Sequence, residues 1–289
     1  MKATMSGQKI PFTARLRSAY NIYQGHRKGQ FANTNVECSL EVHQFLCRLF
    51  AQHSSTPIAQ SRILDLGCGQ NAVQSILFHA DGAKVTGIDI EVPSLNMNLR
   101  SFIETAQKNG MERALKSLAR TVLFDKKFFE RLAQAYDKPV SVHNLDLRVM
   151  DAKHTTFPND HFDFIFSFWV FEHIDDIDAA LREIHRILKP TGVAFIELHL
   201  FPSLSGGHNL EWLEPDTAPS QRVPPWDHLR ENRFPANVYL NRLRLADYRK
   251  SFHAHLHVVD EVLNCEGEKI LTKELESLLI HVEDVEQGR

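Results

Sequence analysis

The stretch "RILDLGCGQN", residues 62–71, decides how the rest of the chain is read. Ile63 and Leu64 begin an apolar run suited to a buried strand, and Asp65, Gly67 and Gly69 then follow at every second position. Glycine at two such positions lets the chain turn tightly and leaves bare backbone for a ligand to approach. Amides that open a following helix can face a carboxylate or a phosphate. Such a helix is predicted at once by "AVQSILFHA", and a second strand by "AKVTGIDI" (83–90). Strand, helix and strand at this pitch signal a parallel βαβ unit. In doubly wound sheets of this kind, ligands bind beyond the carboxyl ends of the strands, where the strand order reverses.

The alternation extends in both directions. Upstream, "VECSLEVHQFLCRLF" (36–50) sets Val42, Phe45, Leu46 and Leu49 at helical spacing. Downstream, residues 91–141 interrupt the rhythm with a long helical pattern, which reads as an insertion after the second strand. It then resumes with "NLDLRVMDA", a strand ending at Asp151, and with the nearly continuous apolar strand "FDFIFSF" (162–168). "DDIDAALREIHRIL" puts Ile177, Ala180, Leu181, Ile184 and Leu188 on one helix face, with Asp175 as N-cap and "KPTG" as the stop. "VAFIELHL" follows as a further buried strand. From 201 to 235 the chain turns into a loop bearing Gly, Pro and Trp, of a length typical of binding loops. A helix over about 238–251, a strand over about 252–260 and a short helix-strand tail complete the expectation. Together these predict an α/β domain over 36–289, doubly wound, with a mostly parallel seven-stranded sheet and a polar N-terminal segment, 1–35, as a lid.

Composition excludes several classes of function. The 289 residues are 43% hydrophobic and 24% charged, and the formal net charge of −3 leaves no overall footprint for nucleic acid or anionic membrane. The N-terminal residues lack the apolar core of a signal peptide, and no apolar run approaches the length of a membrane span. Cys38, Cys47, Cys68 and Cys265 have no paired spacing, so neither a disulfide framework nor a zinc knuckle is indicated. A reduced, cytoplasmic, globular protein is expected, without DNA as a partner and with a homodimer allowed. His253, His255 and His257 alternate as ligands on one strand face would. A solvated strand face with Ala254, Leu256 and Val258 inward accounts for them equally, and no metal is expected.

The glycines alone fit either a dinucleotide or S-adenosylmethionine, because Ala72 satisfies the loose G-x-G-x-x-A form. The larger constellation discriminates between them. Asp65-x-Gly67-x-Gly69, Asp89, Asp151, "FPNDHFDFIFSFWVFEHIDD" and "LREIHRILKPTG" together resemble the class I S-adenosylmethionine-dependent methyltransferases, in the small-molecule branch that includes the quinone-biosynthesis enzymes. The resemblance covers about 62–90 and 145–200 and implies a Rossmann-like fold with S-adenosyl-L-methionine as cofactor. It further implies that Asp65 and the turn Gly67, Cys68, Gly69, Gln70 and Asn71 hold the methionine part. Asp89 would bind the ribose hydroxyls and Ile90 would pack on adenine. Asp151 would accept from the adenine amino group beside Ala152, and Ser167, Phe168 and Trp169 would line the sulfonium. The family's third glycine is Asn71 here, and Asp65 could instead cap the following helix.

Methyl transfer needs alignment and exclusion of water, and an oxygen nucleophile of high pKa also needs a base, for which His is suited near neutral pH. His199 ends a strand and His208 lies in "LSGGHNLEW", so these two are the candidate catalytic residues, His208 foremost. Trp212 and Trp226 are candidates to close over a small-molecule substrate, with Tyr20 and Tyr23 from the N-terminal side and His173 nearby. The tract after the fourth predicted strand reads "SFWV", not the Asn/Asp-Pro-Pro-aromatic tract of base-amino methyltransferases, which argues against DNA. An oxygen of a sugar, glycolipid precursor or secondary metabolite is the expected acceptor. A nicotinamide-dependent oxidoreductase and a non-catalytic cofactor-binding protein are the alternatives.

Overall fold

The computed structural model describes residues 35–91, 95, 102–103, 105–107, 110–121, 125–212, 219–236 and 238–275. Five strands form one sheet among them: β1 (Arg62–Leu66), β2 (Lys84–Asp89), β3 (Asp146–Val149), β4 (Phe162–Phe168) and β5 (Leu188–Glu197). The order is β3-β2-β1-β4-β5 with every neighbouring pair parallel. Helices α1 (Val36–His53), α2 (Val73–Ala80), α3 (Met111–Arg120), α4 (Lys126–Ala135), α5 (Ile177–Ile187) and α6 (Leu245–His255) accompany it.

Burial on both faces makes the central strands apolar almost throughout. Ile63, Val85, Phe164 and Phe166 point to one side and pack with Leu46 and Phe50 of α1 and Phe78 of α2. Leu64, Leu66, Ile88 and Ile165 point to the other, against Ile177, Leu181 and Ile184 of α5 and Tyr248 of α6. Each fully buried aromatic or aliphatic side chain here contributes ~1.5–3 kcal/mol.

The fold departs from the expectations at several points: α6 begins at Leu245 instead of about 238, and β3 ends at Val149 instead of Asp151. The sheet has five strands among the described residues where seven were predicted. Residues 252–260 form no strand. α6 runs through His253 and His255, because Tyr248, Phe252 and Leu256 recur at helical spacing and pack against the α5 side of the core. The N-cap of α5 is Asp176, whose side chain accepts from the Ala179 amide at 2.9 Å, and Asp175 instead takes the Lys153 ammonium. α5 ends at Ile187, one residue before the predicted Leu188, and "KPTG" is no post-helix stop. It lies within β5, between Leu188, paired with Phe162, and Val193, paired with Phe164. That irregularity lets Lys189 reach Asp163 at 2.7 Å.

Candidate functional site

The strand order reverses between β1 and β4, so the loops leaving these two strands meet. After Leu66 the chain bends back, and the amides of Gly67 and Cys68 donate to the Ile88 carbonyl at 2.8 and 3.0 Å. Gly67 has φ +80°, and a Cβ there would lie 2.1 Å from Val170 Cγ2. The packing of the two loops therefore requires glycine at this position. Gly69 differs: its φ is +65° and a Cβ would meet nothing within 4 Å. Its amide donates to Asp89 Oδ2 at 2.9 Å, which draws the turn to the end of β2. Ala72, also left-handed at φ 43°, then starts α2.

Asp65 is buried, and its Oδ2 accepts from the Ser75 hydroxyl at 2.7 Å. Burial outweighs that hydrogen bonding and pushes its carboxyl up to about 7. The helix-capping alternative is thus realised in part, since Asp65 braces the first turn of α2. The other oxygen of Asp89 accepts from the Glu91 amide at 2.9 Å, and Ile90 beside it is 76% exposed. An ionised carboxylate offers about four acceptor sites, so Asp89 retains capacity for two hydroxyls. Gln70 donates to Glu91 at 3.3 Å, Cys68 is half-buried, and Asn71 is buried with Oδ1 unpartnered. Asp151 lies two residues past β3, exposed, with Oδ1 accepting from the Lys153 amide at 2.9 Å, and Ala152 packs on the core edge. A bare turn, an acid-tipped strand end and an exposed apolar side chain at one sheet edge suit an adenosyl group, so the residues present fit S-adenosylmethionine.

Past β4 a second cluster begins. Ser167 is fully buried with its hydroxyl unpartnered, and Phe168 packs against Phe195. Trp169, at φ 57° and 40% exposed, donates from its indole to Glu197 at 3.1 Å and stacks on the His199 ring at 5.6 Å, 7° from parallel. The 3-10 turn Phe171–His173 then buries Glu172, which is 3% exposed. Its Oε1 accepts from the His199 amide at 3.2 Å and lies 3.3 Å from His199 Nδ1 and 3.4 Å from His208 Nε2. Burial favours the neutral acid, but the two imidazoles outweigh it and take the Glu172 carboxyl down to about 2. His173 completes the group from outside: its ring meets His208 edge-on at 4.8 Å, and its Nδ1 donates to the Tyr239 carbonyl.

The two candidate catalytic histidines are therefore brought together, and by a residue the sequence reading missed. Glu172 stands in the quoted tract "FWVFEHIDD", where a carboxylate straight after an apolar strand was the available signal. Trp212 and Trp226 are placed elsewhere. Both are buried with Leu204 and Val223 in a small core of the 201–235 loop, with their indoles donating to the carbonyls of Val223 and Pro202. Tyr20 and Tyr23 lie outside the described residues.

Residues 39–259 match a family model described as a methyltransferase domain. Among curated proteins, the chain is 25% identical over 167 residues to the ubiquinone biosynthesis O-methyltransferase of Pelagibacter ubique, covering 55% of this chain and 54% of that protein. The chain thus spans about half the length of that curated relative. Among solved structures, the YcgJ protein of Bacillus subtilis aligns with TM-score 0.41 and 18% identity over 74% of this chain and 68% of its own. The geranyl diphosphate C-methyltransferase of Streptomyces coelicolor, in complex with S-adenosyl-L-homocysteine, aligns with TM-score 0.31 and 16% identity over 52% and 42%. With the domain match extending over most of its length, the chain belongs to the methyltransferase-domain family, whose methyl donor is S-adenosylmethionine.

Proposed function

We propose that this chain methylates an oxygen of a small-molecule acceptor, a sugar, glycolipid precursor or secondary metabolite. One observation carries the reading: Gly69 presents bare backbone to open space while its amide is held by Asp89 at the end of the neighbouring strand. S-adenosylmethionine supplies a methyl group already activated on a sulfonium, so the chain's own work is placement, exclusion of water and removal of a proton. Asp89 would take the ribose hydroxyls, Ile90 the adenine face and Asp151 its amino group. Asp65 and the turn residues Gly67 to Asn71 would take the methionine part. Ser167, Phe168 and Trp169 would lie along the sulfonium. Trp169, stacked on His199, joins that berth to the Glu172–His199–His208 cluster. The acceptor hydroxyl would lose its proton there. An oxygen acceptor is favoured because a hydroxyl must lose its proton on methylation, and paired imidazoles on a buried carboxylate can receive it.

Titration calorimetry with S-adenosylmethionine, against NAD as the competing ligand, tests the berth. Asp89→Ala is expected to weaken binding of the methyl donor by ~1.5–3 kcal/mol, the range for a charge-assisted hydrogen-bond partner. Unchanged affinity would remove the ribose assignment. Metabolite extracts incubated with methyl-labelled donor and read by mass spectrometry test the transfer itself. His208→Gln is expected to lower labelled product at least tenfold with donor affinity intact. Undiminished product would take the proton-removing step away from this cluster.

A further inference from the structure

We propose that Glu172, His199 and His208 form a binding site for one divalent transition-metal ion of the zinc class. The ligand atoms Oε1 of Glu172, Nδ1 of His199 and Nε2 of His208 lie within 4.8 Å of one another. Oε1 is 3.3 Å from the first nitrogen and 3.4 Å from the second. Tetrahedral zinc holds nitrogen and oxygen ligands at about 2.0–2.2 Å, which spaces neighbouring ligands by about 3.3–3.5 Å. The two separations from Oε1 are those of a tetrahedral edge.

Hydrogen bonding does not account for the arrangement. His199 Nδ1, His208 Nε2 and Glu172 Oε2 are all buried and none has a hydrogen-bond partner. Two such ring nitrogens facing one buried carboxylate are costly as they stand, because a buried polar group without a partner loses its hydration for nothing. A cation held between these two nitrogens and Glu172 Oε1 satisfies both rings. Two imidazoles and one carboxylate are also a common protein ligand set for catalytic zinc, with the fourth position left to water or substrate. The rings are fixed from outside, His199 by the Trp169 stack and His208 by the edge of His173. Glu172 lies on the buried side, with a side chain 4% exposed, and His199 on the accessible side, at 29%.

In a second trio, His43, Cys47 and Asp81, the atoms that face one another do have hydrogen-bond partners, although His43 Nδ1 has none. There His43 Nε2 donates to Asp81 Oδ2 at 2.9 Å and meets the Tyr136 hydroxyl at 3.1 Å, while Lys138 occupies Asp81 Oδ1. Burial, with the Asp81 charge beside it, pushes the Cys47 thiol up to about 12, so it is no thiolate at neutral pH.

The use of the ion rests on the proposed methyl transfer, whereas the site itself rests on the cluster alone. At its fourth position the ion would bind the acceptor's hydroxyl oxygen. The O–H bond then breaks, its proton passes to solvent water, and the electron pair stays on the oxygen that is methylated. His208 on this reading gives its lone pair to the metal and is not the base.

The full chain, stripped with a chelator and titrated with Zn2+ by calorimetry, is expected to bind one ion with micromolar or tighter affinity. Co2+ in its place should give the intense visible absorption of a tetrahedral N/O site. Glu172→Gln and His208→Asn should each weaken Zn2+ at least tenfold, and Cys47→Ser should leave it unchanged. Titration with S-adenosylmethionine and thermal melting establish that each variant is folded, and His208→Asn, on a loop, tests the site if Glu172→Gln fails to fold. No Zn2+ binding by a chain that binds S-adenosylmethionine would overturn the metal site and leave the transferase reading standing. Loss of Zn2+ in Cys47→Ser would also overturn it. Zn2+ binding that depends on His208, in a chain with no affinity for S-adenosylmethionine, would uphold the site and sink the reaction assigned to it.

Discussion

Gly67 and Gly69, two residues apart in one turn, have different physical reasons to be glycine. Both are left-handed, which costs a side-chain-bearing residue ~1–2 kcal/mol. At Gly67 an added methyl also strikes Val170, so Gly67→Ala is expected to destabilise the protein by ~2–4 kcal/mol, seen as a lowered Tm. At Gly69 the space is open, so Gly69→Ala should cost stability only the backbone strain, ~1–2 kcal/mol. Its larger effect should be at least a tenfold loss of S-adenosylmethionine affinity by calorimetry, since the methyl projects into the proposed berth. Equal effects of the two substitutions on both measurements would contradict the division of labour. From sequence the two positions look alike. The neighbour that separates them, Val170, is 103 residues downstream of Gly67 and reaches it only across the β1–β4 junction.

At the scale of elements, one carboxylate helps tie the inserted helical region to α1 and α2. Asp81 follows α2, and its oxygens receive His43 of α1, the Tyr136 hydroxyl and Lys138 beyond α4. Burial disfavours the charge, but these hydrogen bonds outweigh it and hold the carboxyl well below the usual carboxylate range. Phe128 and Leu132 of α4 meanwhile pack on Val36, Val73 and Leu77. Asp81→Asn is expected to cost ~1–3 kcal/mol in urea unfolding, with faster amide exchange concentrated in Lys126–Ala135. Lys138→Ala, at the half-exposed end of the network, should cost no more than ~1 kcal/mol. The helical character of this region was readable from its apolar spacing. Its partners were not, because they are fixed by where α1 and α2 lie on the sheet. The opposite error occurred at 252–260, where a strand was expected and the packing of Tyr248, Phe252 and Leu256 against the α5 side of the core carries α6 on to His255.

For the whole molecule, two buried or half-buried carboxyls pull stability in opposite directions with pH. The Asp65 carboxyl is raised by burial to about 7, above its unfolded value of about 3.9, so the fold prefers it protonated. Its contribution is complete below about pH 4 and is lost as pH rises toward about 7. Glu183 is bound by Arg186 and Thr155, and those hydrogen bonds outweigh burial to take it down to about 2. Its contribution is present above its unfolded value of about 4.3 and is lost as pH falls toward about 2. Urea unfolding measured between these limits should show Asp65→Asn flattening the neutral side of the stability profile. Glu183→Gln should flatten the acid side. An unchanged profile in either variant would remove that group from the balance. Both effects belong to the assembled molecule, since Asp65 meets Ser75 only when α2 packs on β1, and Glu183 meets Thr155 only when α5 is docked.

By itself, the sequence determined the local grammar: which segments are apolar enough for central strands, where glycines release the backbone, and which acids stand at strand ends. It could do so because those properties depend on near neighbours, at the two-residue period of a strand or the 3.6-residue period of a helix. Tertiary structure alone decided what meets at the β1–β4 junction. Glu172 gathers His199 and His208 there, and Trp212 and Trp226 turn inward to form a small core of their own loop. Those outcomes depend on contacts between residues far apart in the chain, and burial is a property of the packed whole that no short window of sequence contains.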